Sequence, residues 1–295
     1  MRFARGLALF SMATSAAASS SSTNPVAAAA AAAFVDARLA PVNAIAAPSG
    51  LSSIELGYEV QREMMTSAAA TTRLGGRVGW KAGATNAGAQ AAMGFGPFLG
   101  PLFANCLVAN GGSVSLKSMG SFRANEAEFC FFLSDDLPKK EGGPWTEEEV
   151  WARVEAVAPA IEIAATRCSE SPLSPASVLA DFSLNGCCVI GPKIAPSALA
   201  GSYAALVSAK ASLFVNSELA AENTGANVLG SPLTSLTWLA NEVNQQGHTL
   251  RRGDLVMTGA AAASKALVEG DLLEARFVIA GVGEDLLKVS VRIEA

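Results

Sequence analysis

The chain has 295 residues, 51% of them apolar and 16% charged, with a formal net charge of −5 and five cysteines beside a single histidine. That composition belongs to a globular protein with enough length for a packed core, in one large domain or two small ones, and excludes a disordered chain. The acidic balance argues against a nucleic-acid partner, which needs clustered Lys and Arg, and no apolar run of about 18 residues is present to span a membrane.

Residues 1–30 differ from the rest. Arg2 and Arg5 precede Leu7–Phe10 and a Ser/Ala tract, and no acidic residue occurs before Asp36. Such a segment reads as a mitochondrial or plastid presequence. A secretory signal fits less well, because the apolar stretch is short and broken by Ser11, Thr14 and Ser15; a disordered tail on a cytoplasmic protein is the bland alternative. Cys106, Cys130, Cys168, Cys187 and Cys188 form no C-x-x-C pair and read as buried, reduced thiols, which favours a reducing interior.

A helical cap is expected next, over residues 31–76, with helices from Ala27 to Leu39 and from Ser53 to Met65. Short strands and glycine turns then take over, from residue 77 to the C-terminus. Arg77–Ala84 reads as a strand in which Gly79 and Gly83 flank Lys81 on one face, leaving room for a ligand or a second backbone. Gly94-Phe95-Gly96-Pro97-Phe98-Leu99-Gly100 superficially suggests a phosphate loop, but no helix start follows and Pro97 removes a donor. Strands are expected at Leu102–Val108 and Ser113–Leu116.

The stretch Glu126-Ala127-Glu128 runs directly into Phe129-Cys130-Phe131-Phe132-Leu133. In a strand, alternation puts both carboxylates on one face. Two inward-facing anions are unfavourable unless a cation lies between them or one is protonated. An exposed edge with both glutamates in water is the plain reading. Further on, Thr146 and Glu149 form a capping box, and Val157–Ala164 is a buried strand with one carboxylate, Glu162, for which Arg167 is the ordinary partner and a metal ion the sharper one. Residues 173–187 are expected as a loop carrying Asp181 and Asn185. Cys187–Ile190 begins a strand, Asn216-Ser217 a hairpin turn after Ala211–Val215, and Leu229–Val243 a helix started by Pro232. Leu250–Gly259 is a turn and strand whose Thr258 hydroxyl and Gly259 N–H offer donors to a carboxylate ligand. Ala275–Ile279 and Leu287–Ile293 close the sheet. His248, alone in a polar loop, reads as a surface residue and excludes both a histidine-rich zinc site and a Ser-His-Asp triad. Strands outnumber helices after residue 77 without regular alternation, which predicts a mixed, mainly antiparallel α+β domain.

The ordered set Gly79-Trp80-Lys81-Ala82-Gly83, Leu102-Phe103-Ala104, Glu126-Ala127-Glu128, Pro159-Ala160-Ile161-Glu162-Ile163, Thr166-Arg167, Ala180-Asp181, Leu229-Gly230-Ser231-Pro232 and Gly253–Gly259 resembles the 2-keto-4-pentenoate hydratase / 4-oxalocrotonate decarboxylase family, within the fumarylacetoacetase C-terminal-domain superfamily. The resemblance implies a β-roll or sandwich and a homo-oligomer acting on a small 2-oxo acid. It implies a magnesium (or manganese) ion on Glu126, Glu128 and Glu162, with Lys81, Asp181 and Asn185 as catalytic groups. Gly83, Leu102, Phe103, Arg167, Thr258 and Gly259 are the implied substrate contacts. The implied reaction is addition of water to a 2-hydroxy-2,4-dienoate through an enolate polarised by the metal, with decarboxylation of a 2-oxo acid or hydrolysis of an acylpyruvate as alternatives on the same scaffold. The chain departs from the family at Phe98 and Asn105, where an Asp is usual, and at Phe182-Ser183-Leu184, where Asn-Ala-Ser is usual. These departures leave metal ligation intact and alter its surroundings, so a substrate other than the simple pentadienoate, or a catalytically silent binding protein, fits the same pattern.

Overall fold

The computed structural model describes residues 24–40, 44–199, 202–283 and 287–294. Helices α1 (Pro25–Leu39), α2 (Ile54–Thr66) and α3 (Ala68–Leu74) open the chain. Each starts on a side-chain cap, Asn24, Ser53 and Ser67 respectively, and α3 stops on Gly75 in the left-handed conformation. The expected presequence lies mostly outside the described residues. Where it overlaps them, at 25–30, the chain is already helical and Ala27 and Ala30 are buried.

Strand β1 (Arg77–Gly83) leads through α4 (Ala87–Met93) to β2 (Phe98–Phe103), then β3 (Leu107–Val108), β4 (Ser113–Ser115) and the long β5 (Ser121–Leu133). Helix α5 (Glu147–Trp151) carries the expected capping box and precedes β6 (Val154–Thr166), α6 (Pro175–Ala180), β7 (Asn185–Ile190) and α7 (Ala205–Ser208). The hairpin β8 (Lys210–Val215) and β9 (Glu218–Thr224) turns at Asn216-Ser217, both with positive φ. Helix α8 (Pro232–Gln245) and strands β10 (Leu255–Ser264), β11 (Leu272–Val278) and β12 (Lys288–Glu294) complete the fold.

The strands form a seven-stranded sheet, β2-β1-β10-β5-β6-β7-β3, and a five-stranded sheet, β4-β12-β11-β8-β9. Pairing is antiparallel except at β1–β10, β3–β7 and β4–β12, as the mixed, mainly antiparallel α+β expectation has it. Alternation sorts the side chains of β5. Phe129, Phe131 and Leu133 enter the main core with Ile161 and Ile163 of β6, Phe277 of β11 and Leu236 of α8; Phe129 meets Phe277 edge-on at 5.0 Å. The alternate residues, Glu126, Glu128, Cys130 and Phe132, face the other side of the large sheet.

Three local expectations give way. The strand predicted at Leu102–Val108 begins at Phe98 instead and breaks into a 3-10 turn at Ala104–Cys106, so the glycine-rich stretch is partly strand β2. The loop predicted at 173–187 contains α6, started by the Ser174 cap and Pro175. His248 is half-buried, its ring 5.5 Å from that of Trp80, and burial lowers its pKa. All five cysteines are free and buried, as expected.

Candidate metal centre and active-site cleft

Central strands of the large sheet deliver the carboxylates. In the β5–β6 ladder Glu126 stands opposite Glu162, and Glu128 sits two residues along on the same face. One oxygen from each of the three lies within 4.8 Å of the others, the sole convergence of three such groups found among the described residues. Glu128 and Glu162 are fully buried, and Glu126 opens to a cleft of about 480 Å³.

Each carboxylate is oriented by a neighbour. Lys81 of β1, 3% exposed, sets Nζ at 3.1 Å from Glu162 Oε1 and 3.2 Å from Oε2. Asn185 Nδ2 donates to Glu162 Oε1 at 2.8 Å. The Gly259 N–H donates to Glu128 Oε2 at 2.8 Å, whereas Glu128 Oε1 is buried with no hydrogen-bond partner. Gly259 has φ +95°, and a Cβ there would lie 2.1 Å from Thr85 Oγ1, so only glycine fits between β10 and that hydroxyl.

The electrostatics call for more positive charge than one ammonium supplies. Burial, reinforced by Glu162, pushes the Glu126 pKa up to about 7, and burial with Glu162 and Glu126 pushes Glu128 well above the carboxylate range. Burial pulls Lys81 down, but Glu162, Glu126 and Glu128 outweigh it and hold the ammonium above its ordinary value. Three convergent carboxylates, an orphan buried oxygen and all-oxygen donors are the donor set that a hard divalent cation takes.

Lys81, Glu126 and Gly83 therefore meet in one cleft, with Thr85, Phe98, Arg123, Ser183, Leu184 and Lys265 among its other walls. A Cβ on Gly83 would lie 2.3 Å from the Phe98 ring, which sits 5.9 Å from Lys81 Nζ. Lys81 thus has an aromatic neighbour in Phe98, one of the departures already noted in the sequence.

Several expected site residues lie elsewhere. Asp181, expected among the catalytic groups, is fully buried and occupied: Oδ2 accepts from Thr166 Oγ1 at 2.6 Å and the Arg167 N–H at 2.5 Å. Arg167, expected at the substrate or on Glu162, is 1% exposed and pairs with Asp181 at 3.4 Å while donating to the Asn185 carbonyl at 2.7 Å. Burial lowers its pKa to about 10, so it stays cationic. Leu102 packs among Cys106, Cys130 and Cys188, and Phe103 against Phe182 edge-on; neither lines the cleft. Thr258 donates its hydroxyl to the Phe129 carbonyl, and the Gly259 N–H serves Glu128, so neither is free for a ligand as expected.

Residues 182–184 were legible only as a departure from the family. Phe182, Ser183 and Leu184 all have positive φ, at 54°, 52° and 63°. A left-handed turn of three non-glycine residues costs roughly 1–2 kcal/mol per residue. Gln61 of α2 holds it, its Nε2 lying 2.8 Å from Ser183 Oγ, 3.0 Å from the Leu179 carbonyl and 3.2 Å from the Leu99 carbonyl. Arg38 of α1 lies over the Phe182 ring and donates to the carbonyls of Asn185 and Gly186 at 2.8 and 2.9 Å. The turn in this way presents Asn185 to Glu162. Thr85, which lines the cleft beside Gly259 and whose hydroxyl is buried without a partner, was also missed.

The model of the family described as fumarylacetoacetate (FAA) hydrolase C-terminal matches residues 86–290. The chain is 32% identical over 240 residues to a Pseudomonas putida protein named TodF product hydratase, covering 79% of this chain and 83% of that one. It is 31% identical over 208 residues to the 2-keto-4-pentenoate hydratase of Paraburkholderia xenovorans, covering 70% and 73%. Among solved structures, 4-oxalocrotonate decarboxylase from Pseudomonas putida G7, complexed with magnesium and adipate, superposes with a TM-score of 0.77 at 25% identity over 92% of this chain and 98% of that one.

Proposed function

Since this chain belongs to the fumarylacetoacetate hydrolase C-terminal family, among its hydratase- and decarboxylase-type enzymes with a divalent metal cofactor, we propose that it adds water to a 2-oxo-alkenoate taken up as its 2-hydroxy-2,4-dienoate. The observation that carries this reading is the convergence of Glu126, Glu128 and Glu162 beside a cleft that Glu126 and Lys81 line. Those three carboxylates would hold Mg²⁺ or Mn²⁺, which when bound supplies Lewis acidity toward the carboxylate and 2-oxo oxygens of the substrate.

The protein's own groups do the rest. Asn185 and the Gly259 N–H fix two of the carboxylates in place, so little rearrangement is needed as substrate binds. Lys81, within reach of the substrate oxygen end, delivers and recovers the proton at the carbon chain. The orphan Thr85 hydroxyl is free to donate to the substrate carboxylate. Phe98, Met93 and Leu184 line the path of the alkenyl chain with apolar surface.

Decarboxylation of a 2-oxo acid is the second reading, favoured by a specific observation. The ionisable groups lining the cleft are Lys81, Arg123, Glu126 and Lys265, so once Glu126 is a ligand no carboxylate remains there to activate water. Decarboxylation needs a proton donor only.

Purified protein with magnesium, offered hydroxypentadienoate and a panel of 2-oxo acids, separates the readings by product: a hydrated 2-oxo acid or CO₂. Turnover of either kind should fall by at least about a hundredfold in Glu126→Gln, since a ligand to the Lewis acid is lost. Metal binding with no turnover on any of these substrates would sink the enzymatic reading and leave a binding protein.

A further inference from the structure

Resting on the proposed chelation of a 2-oxo acid at the three glutamates, one charged group in the same cleft is left without a task. Arg123 lies on β5 three residues before Glu126, about 10 Å by strand rise. The β5–β6 register breaks between Phe122 and Ala124, whose partners Ala165 and Ala164 are adjacent, so Arg123 is the extra residue of a β-bulge. Bulges re-aim a side chain that regular alternation would send elsewhere. Arg123 lines the cleft, and its Nε is buried with no hydrogen-bond partner. Among the described residues its guanidinium has no carboxylate partner, whereas Lys81 pairs with Glu162, Arg167 with Asp181 and Arg77 with Asp254. Lys265, directly after Ser264 of β10, which stands opposite Asn125 of β5, also lines the cleft and is a second cation without an ion pair among the described residues.

A half-buried guanidinium with an unsatisfied N–H is stabilised by a planar anion that accepts two hydrogen bonds. The cleft already holds one anion-reading end, at the glutamates. We propose that Arg123 reads a second carboxylate at the far end of the substrate, so that the enzyme prefers a 2-oxo dicarboxylate over the monocarboxylate of equal chain length, with Lys265 adding long-range attraction at the mouth. The apolar walls of the cleft, Phe98, Met93 and Leu184, then accommodate the hydrocarbon link.

Titration calorimetry in magnesium buffer with 2-oxoadipate and 2-oxohexanoate, which differ only in the terminal carboxylate, tests this. The wild type should bind 2-oxoadipate about tenfold or more tighter, the equivalent of about 1.4 kcal/mol. Arg123→Gln should erase that preference while leaving 2-oxohexanoate affinity unchanged, which also reports a folded site, and Arg123→Lys should restore part of it. Equal affinity of the wild type for both acids, or a preference that survives in Arg123→Gln, overturns the assignment. Pyruvate serves as the control for the underlying reading: if no 2-oxo acid binds, pyruvate included, the chelation reading fails, whereas pyruvate binding without discrimination between the two longer acids removes the Arg123 proposal alone.

Discussion

At the scale of single residues, Lys81 is held between opposing demands. Its ammonium is buried, which disfavours charge, yet it faces three carboxylates that keep it protonated. A divalent ion held by those carboxylates would take over part of that compensation, so Lys81 and the metal would compete for the same negative field. Lys81→Met should therefore lower turnover by roughly 10²–10⁴, the usual worth of a positioned proton donor, while magnesium affinity measured by calorimetry is retained or improved. Turnover within tenfold of wild type would exclude Lys81 from proton transfer. The three glutamates and this lysine were legible in the sequence because each broke a local rule: paired acids running into an aromatic strand, an acid in an apolar strand, a lysine between glycines. Arg167 and Asp181 are buried as well and satisfy each other, which no spacing could reveal.

Among elements, the helical cap reaches the chemistry through the left-handed turn at 182–184. Gln61 offers one amide nitrogen, with two hydrogens, to three acceptors, while Ser183 also donates to Leu99 at 2.8 Å. All of this is buried. Gln61→Leu leaves acceptors without donors beside a strained backbone, and should lower stability by about 2–3 kcal/mol in urea unfolding. A change below about 0.5 kcal/mol would mean that water replaces the amide and that the turn supports itself. Helices α3 and α6 were readable in principle from Ser67 with Gly75 and from Ser174 with Pro175. The turn itself was not: Phe182-Ser183-Leu184 has no residue that favours positive φ, and its conformation is imposed by packing against Arg38, Phe103 and Gln61.

For the molecule as a whole, the buried acidic cluster links stability to pH and metal. Glu126 titrates near 7 in the metal-free fold and at the ordinary carboxylate value when unfolded. Between about pH 4.5 and 7 the folded protein thus binds more protons than the unfolded chain, and its stability falls as pH rises through that window. Chelator-treated protein should melt at a lower temperature at pH 8 than at pH 5.5, other groups being equal, and millimolar Mg²⁺ should raise the melting temperature more at pH 8, where no proton need be displaced. A magnesium-induced rise that is the same at both pH values would show that the glutamates are not its site.

Composition, alternation and the ordered motifs by themselves determined the fold class and the strands bearing the glutamates, and they singled out Glu126, Glu128 and Glu162, because those depend on local periodicity, on the chemical oddity of charges in apolar strands and on the family resemblance. Only the tertiary structure decided which buried charges pair with one another, that Leu102, Phe103 and Thr258 turn away from the cleft, and that a bulge leaves Arg123 facing it. Those outcomes depend on register between strands far apart in the chain, and a shift of one residue reverses the face on which a side chain lies.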